Sequence, residues 1–258
     1  MNVKSDKRLN ILITNDDGIY SDGLSVLKKA LSNIGRVIII APDRERSATG
    51  HSLTLMHPVR IDEIKKDIFI TDGTPADCVN VGIMGILPVR PDIVVSGINL
   101  SANLGDDVTY SGTVAAAMEA TLLKVPAFAI SINGDTNLYL ESAAKVAVDI
   151  IKMIERYGLP EGTFLNINVP NLPFDKIKGV AITRQGKRAY REELIKRMDP
   201  RGKVYYWIGS KGVIDIPEDG TDVKALAEDM ISITPLHLDL TDYTFLEKLK
   251  TWKINIIQ

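Results

Sequence analysis

The stretch Leu9-Asn10-Ile11-Leu12-Ile13-Thr14-Asn15-Asp16-Asp17-Gly18 decides how the rest of the chain is read. It opens as a short apolar run rich in β-formers, the pattern of a buried strand, and breaks into an acidic turn. Past the turn, Leu24, Leu27, Leu31 and Ile34 recur at helical spacing. Gly35 then offers a helix stop, and Val37-Ile38-Ile39-Ile40 restarts a strand. Strand, helix and strand make a βαβ unit, whose strands read as continuous apolar runs because helices cover a parallel sheet on both faces.

The alternation continues outward. Strands are predicted over 59–61 and 67–71. In Gly73-Thr74-Pro75-Ala76-Asp77-Cys78-Val79, Thr74 fits a helix cap, Pro75 the first helical position, and Asp77 completes a capping box. Cys78, Val81 and Met84 fall at i, i+3 and i+6, which reads as core. Pro91 precedes a strand at 92–95. The run 111–120 starts a helix of small residues that can approach a sheet closely. A strand at 125–130, an amphipathic helix at 140–154 and a strand at 164–169 complete an α/β layer sandwich.

Beyond residue 170 the pattern changes. Residues 180–183 and 204–208 are strand-like without long helices between them, and Pro200-Arg201-Gly202 marks a turn. The expected organisation is a flexible N-terminus (1–8), a core (9–179), a hairpin region (180–215), and a return to the core with a C-terminal segment (216–258). The return carries a helix at 223–228 and a strand at 231–236. The segment 243–252 is expected to be a short helix with Leu246 and Leu249 inward, toward the chain's own core or a partner subunit.

The 258 residues are 45% hydrophobic, enough for a substantial core, and carry a formal charge of −2. That balance gives no support to a nucleic-acid groove built on bulk positive charge. The lone Cys78 excludes an internal disulfide or a four-thiolate zinc site and fits a reducing cytoplasm. No apolar run approaches the ~20 residues that span a bilayer, so no membrane association is expected. Residues 1–10 lack the apolar centre of a signal peptide.

Chemistry concentrates in three turns that each follow an apolar run: Asn15-Asp16-Asp17-Gly18, Asp43-Arg44-Glu45-Arg46-Ser47 and Ser96-Gly97-Ile98-Asn99. In an open parallel sheet, ligands bind in the crevice outside the carboxyl ends of the strands. Oxygen donors there suit Mg²⁺ or Mn²⁺ rather than zinc. Asp16 and Asp17 supply charge; Ser47 and Asn99 offer neutral oxygens that leave a cation electrophilic toward phosphate. The competing reading is an ordinary solvated Asp-Gly turn. Ser111, Gly112 and Thr113 open a helix whose free amides suit a phosphate, although a plain N-cap explains Ser111 as well. Asn15, Arg44 and Asn103 are further candidates for contacting substrate. His51 lies near Ser47, but nothing in the sequence orients it.

Neither Gly-x-Gly-x-x-Gly after the first strand nor Gly-x-x-x-x-Gly-Lys-Ser/Thr is present, which disfavours dinucleotide binding and P-loop chemistry. A metal-dependent enzyme acting on phosphate is the leading reading. The alternatives are a phospho-aspartyl phosphatase, which usually carries Asp-x-Asp rather than adjacent acids, and a non-catalytic nucleotide- or metal-binding module.

These residues resemble the SurE (survival protein E) family of nucleotidases. The likeness runs through 13–18, 41–47, 72–79, 96–99 and 106–114, with later pieces at Arg184-Gln185-Gly186, Tyr205-Tyr206-Trp207 and Thr234-Pro235-Leu236. The resemblance implies a Rossmann-like, mostly parallel sheet in a three-layer α/β/α sandwich, with a projecting β-hairpin and a C-terminal oligomerisation segment. It implies hydrolysis of nucleoside 5′- and 3′-monophosphates by metal-activated water in a homodimer or homotetramer, and some relatives trim short polyphosphate. One divalent cation per subunit, Mg²⁺ or Mn²⁺, would be held by Asp16, Asp17, Ser47 and Asn99, with Asp16, Asp17 and Asn99 at the chemistry. The chain departs at Ser101, where the family commonly has glycine. If that position needs positive φ, Ser101 costs roughly 1 kcal/mol.

Overall fold

The structure, a computed structural model, describes residues 8–134 and 136–253. In chain order the first half comprises β1 (Leu9–Thr14), α1 (Asp22–Leu31), β2 (Gly35–Pro42), β3 (Ile61–Lys65), β4 (Ile68–Thr71), α2 (Pro75–Val81), β5 (Ile93–Asn99) and α3 (Gly112–Leu122). The second half comprises β6 (Ala127–Asn133), α4 (Leu140–Tyr157), β7 (Thr163–Pro170), β8 (Val180–Ile182), β9 (Lys187–Met198), β10 (Val204–Ile216), α5 (Asp222–Ala227), β11 (Ile231–His237) and α6 (Tyr243–Leu249).

Among the described residues nine strands form one sheet in the order β3-β4-β2-β1-β5-β6-β7-β11-β8. Its pairs are parallel except β3 with β4 and β7 with β11. Successive side chains of β1 point to opposite faces, so Ile11 and Ile13 join one core and Leu12 the other. The first core is roofed by α1 and α4, the second by α2 and α3, giving the three layers. Helix α3 sits deep because Ala115, Ala116, Ala117 and Ala120 keep its girth small.

Several boundaries move. Helix α1 ends at Leu31, and Ile34 lies in the turn beyond it. Gly35 is no helix stop but the first residue of β2, where a Cβ would meet Leu9 O at 2.8 Å and Ile11 Cδ1 at 2.7 Å. The strand expected over 59–61 runs Ile61–Lys65 instead. The capping box at Thr74 and Asp77 is present and Cys78 is buried, but Met84 stands exposed beyond α2. There the chain continues as a π-helical turn over Gly82–Ile86, whose wider winding breaks the α-helical spacing.

The hairpin also shifts. Val180–Ile182 belongs to the main sheet, parallel to β11, whereas β9 and β10 make a separate antiparallel ribbon over 187–216. Both ribbon strands carry exposed apolar residues, Ile208 being 93% exposed. In α6, Leu246 and Leu249 are half-buried and no residue is fully buried, so the inward face is only partly covered. Residues 1–7 and 254–258 of the two expected terminal segments lie outside the described residues.

Candidate active site

Strands β1 and β5 are parallel neighbours, with Thr14 opposite Ser96, so the turns that leave their carboxyl ends emerge side by side. The loop after β2 joins them through Arg46 N, which donates to Asp16 O at 2.7 Å. Gly18 adopts φ +96°, and a Cβ there would lie 3.0 Å from the Arg44 carbonyl carbon. Only glycine combines that left-handed backbone with so close an approach. Asn15 braces the turn, donating from Nδ2 to Gly18 O at 3.0 Å.

A cavity of about 1020 Å³ opens at this edge, and Asp16, Asp17, Ser47, Asn99, Asn103 and Ser111 all line it. Four sequence candidates stand elsewhere. Asn15 is wholly buried and serves as the brace of the turn. Arg44 faces a smaller hollow of about 460 Å³ beside Tyr20 and Asp43, with Asp17 common to both hollows. Gly112 and Thr113 lie behind Asp16 rather than on the cavity wall.

That position makes α3 a support for the acid. The Thr113 hydroxyl donates to Asp16 Oδ1, while the Ser111 hydroxyl caps the helix by accepting from Val114 N at 3.1 Å. At Gly112 a Cβ would stand 2.8 Å from Asp16 Cβ and 3.0 Å from Asp16 Oδ2. Glycine there lets the helix start close against the carboxylate.

The other donors are oriented in turn. Asn99 Nδ2 donates to Ser101 O at 2.5 Å, so Oδ1 is the amide atom available to a ligand. Ser101 is not among the residues with positive φ, so the strain conditional on that geometry does not arise. Ser47 donates to Glu45 Oε1 at 2.7 Å. Asn103 donates to Ser131 Oγ at 2.9 Å, and its carbonyl accepts from both Asn166 and Asn168 at 2.9 Å. Its amide nitrogen is thus committed to pinning the loop over the sheet.

Burial raises the Asp16 carboxyl above the ordinary carboxylate range. Asp17 is pushed up to about 7, by burial first and then by the charges of Asp16 and Glu45. Oδ2 of Asp17 is buried and has no hydrogen-bond partner among the described residues. A buried, unpartnered carboxylate oxygen beside a second carboxylate is costly unless a cation or proton joins it. Two carboxylates with a hydroxyl and an amide oxygen fit a hard divalent ion. Among the described residues no group of three or more His, Cys, Asp or Glu side chains could hold a metal ion. Cys78, its thiol pushed up to about 12 by burial, is an inert core residue.

Several residues at the site were not picked out from sequence. Glu45 lines the cavity from inside the Asp43–Ser47 loop, where a third acid was already in view. Tyr110 lines it from the turn before α3, and Leu194 and Ile208 reach it from the hairpin. Glu119 orients His51, with Nε2 and Oε2 2.8 Å apart. No local pattern joins residues 68 positions apart.

Fold and site together define a Rossmann-like α/β protein with an acidic cavity at the carboxyl edge of its parallel strands. Residues 11–192 match the family model described as survival protein SurE. The chain is 52% identical over 246 residues to the 5′-nucleotidase SurE of Geobacter metallireducens, covering 95% of this chain and 97% of that protein. It is 51% identical over 249 residues to the 5′-nucleotidase SurE of Geobacter sulfurreducens, covering 96% and 95%. The crystal structure of the SurE protein from Aquifex aeolicus shares the fold with a TM-score of 0.84 at 48% identity, covering 93% of this chain and 98% of that one. The chain belongs to the SurE family. Among the described residues no helix is long and apolar enough to cross a membrane.

Proposed function

We propose that this chain is a divalent-metal-dependent nucleotidase that hydrolyses nucleoside 5′- and 3′-monophosphates to nucleoside and phosphate. The buried Asp17 oxygen that lacks a partner, beside Asp16 in the large cavity, carries the reading. The names of the relatives at about half identity point to the nucleotide.

Asp16, Asp17, Ser47 and Asn99 would hold one Mg²⁺ or Mn²⁺. When bound, the ion would supply positive charge to the phosphate oxygens and make a nearby water easier to deprotonate. Thr113 fixes the rotamer of Asp16 through its hydroxyl. The Ser101 carbonyl accepts from Asn99 Nδ2, which leaves Oδ1 as the amide atom to offer a ligand. The start of α3 acts through Asp16, and its capping residue Ser111 is the part of it that lines the cavity where the phosphate would lie. Water oxygen attacks phosphorus, the ester P–O bond breaks, and the nucleoside oxygen leaves with a proton. Placing the reactants in one pocket removes much of the entropic barrier.

A panel of nucleoside monophosphates against Mg²⁺ and Mn²⁺, begun after EDTA treatment, tests this. Phosphate release that depends on added metal is expected. Stoichiometric binding without turnover would assign the chain to a binding module, and a trapped phospho-aspartate would replace direct water attack. The exposed apolar hairpin supports assembly into a homodimer or homotetramer, which light scattering on the purified protein resolves.

A further inference from the structure

The cavity is lined by chemically different groups. Asp16, Asp17, Ser47 and Asn99 supply polar atoms, and Tyr110, Leu194 and Ile208 add large apolar side chains, with Gly209 also on the wall. Leu194 and Ile208 are cross-strand partners in the β9–β10 ribbon, so their side chains share one face of it. Tyr110 comes from a different segment, as the C-terminal cap of the 3-10 turn Gly105–Thr109 that leads into α3. All three are well exposed, at 68%, 64% and 93%.

These two apolar walls are tied to a common anchor. Asp222 is fully buried, and its carboxylate accepts from Gly186 N at 2.6 Å and from Gly105 N at 2.9 Å. Gly186 is the root of the hairpin, and Gly105 begins the turn that carries Tyr110. The roots touch so closely that a Cβ on Gly105 would meet Gly186 O at 2.7 Å. Arg188 of β9 adds ion pairs to Asp107, which itself lines the cavity, at 2.5 Å and to Asp215 at 2.8 Å. The root of the ribbon is therefore fixed to the turn that leads to Tyr110, and Leu194 and Ile208 further along it line the same cavity as that tyrosine.

We propose that Tyr110 on one side and the Leu194–Ile208 pair on the other form a clamp for the nucleobase of the substrate. This rests on the nucleotidase reading and extends it to what the enzyme selects. A base offers two π faces, and stacking on an aromatic ring needs no match to its edge. Of the three side chains, only Tyr110 carries a hydrogen-bonding atom. The clamp thus selects for the presence of a base and tolerates its identity, favouring purines through their larger stacking area. Covering such a site with a base also removes apolar surface from water.

The test compares 5′-AMP and 5′-GMP with ribose 5-phosphate, which keeps the phosphate and sugar and lacks the base. The wild type is expected to prefer both nucleotides to ribose 5-phosphate, with AMP and GMP within a few-fold of each other. In Tyr110→Ala, and in the double variant Leu194→Ser/Ile208→Ser, the ratio of kcat/KM for AMP to that for ribose 5-phosphate falls roughly tenfold, through KM rather than kcat. Tyr110→Phe keeps the wild-type ratio, because the ring and not the hydroxyl does the stacking. A ratio unmoved in Tyr110→Ala, with wild-type AMP turnover intact, overturns the clamp and leaves the nucleotidase reading standing. An equal loss on AMP and ribose 5-phosphate also overturns it, because the residues would then shape the site without reading the base. A wild type that hydrolyses neither nucleotide overturns both readings together.

Discussion

His51 Nε2 donates to Glu119 Oε2 at 2.8 Å, and Asn80 Nδ2 donates to the other oxygen of the same carboxylate at 2.7 Å. Glu119 is 4% exposed on the inner side of α3, whereas His51 belongs to the loop that carries Ser47. Gly50 N donates to Tyr110 O at 3.0 Å nearby. The pair therefore fastens a candidate ligand loop to the helix that also supports Asp16.

Replacing His51 by Ala removes one partner from a buried carboxylate, which destabilises by roughly 1–3 kcal/mol. The Glu119 carboxyl is held below its ordinary value of 4.5, chiefly by the His51 hydrogen bond. Its contribution is present above pH 4.5 and fades as pH falls through the lowered value. Urea melts at pH 7 should separate wild type from His51→Ala, and the gap should narrow below pH 4.5. A raised Mg²⁺ midpoint for turnover should accompany the loss. Equal stability at pH 7 would show that the contact fastens nothing.

Gly112→Ala tests how closely α3 must approach the acid. The added Cβ would press on Asp16 Cβ at 2.8 Å, on Asp16 Oδ2 at 3.0 Å and on Pro75 Cγ at 3.2 Å. Asp16 is held between the helix and its own strand, so the carboxylate must shift. A displacement of about 1 Å at a reacting centre can lower turnover on the order of 100-fold. The helix itself gains, since Ala is the better former by about 1 kcal/mol. Steady-state kinetics beside circular dichroism should therefore show a folded and nearly inactive protein; wild-type kcat would mean that Asp16 tolerates the displacement.

How much of this was legible in the chain depended on range. The β1 run, the Thr74-Pro75-Asp77 box and the small-residue start of α3 announce themselves within a few residues, because capping and periodicity are local. The Asp16-Asp17, Ser47 and Asn99 turns could be brought to one edge because parallel strands all end on the same side. Thr113 behind Asp16, Glu119 beneath His51 and Asp222 under the hairpin root were not legible. Each joins segments 36 to 117 residues apart through one polar contact, and no pattern in sequence encodes such a pairing. Leu194 and Ile208 failed for another reason: alternation in an isolated ribbon reports two faces and does not say what either one meets.

The acidic pair links stability to pH with the opposite sign to Glu119. Asp16 and Asp17 both bind protons more tightly in the folded state, Asp17 with a value of about 7 against 3.8 unfolded. The folded protein then holds more protons than the unfolded chain across this window, so metal-free stability falls as pH rises from 3.8 toward about 7. A divalent cation competes for the same oxygens and stabilises most where the pair is ionised. Differential scanning fluorimetry with EDTA and with saturating Mg²⁺ should show a rise in Tm on metal addition that is larger at pH 8 than at pH 5.5. A metal-induced rise independent of pH would place the ion elsewhere.

Asp16→Asn separates the roles of this residue. An amide Oδ1 still accepts the Thr113 hydroxyl, so that contact of the wild type is kept. The variant also removes a buried negative charge from beside Asp17 and Glu45. Both changes predict a metal-free protein at least as stable as wild type at pH 8. The neutral amide offers a cation one charge fewer, so Mg²⁺ should add little to its Tm, and phosphate release should fall by on the order of 1000-fold or more. Isothermal titration with Mg²⁺, paired with a phosphate assay, reads the two effects independently. If Asp16→Asn keeps both Mg²⁺ affinity and turnover, Asp16 is not a ligand and the cavity works without its charge.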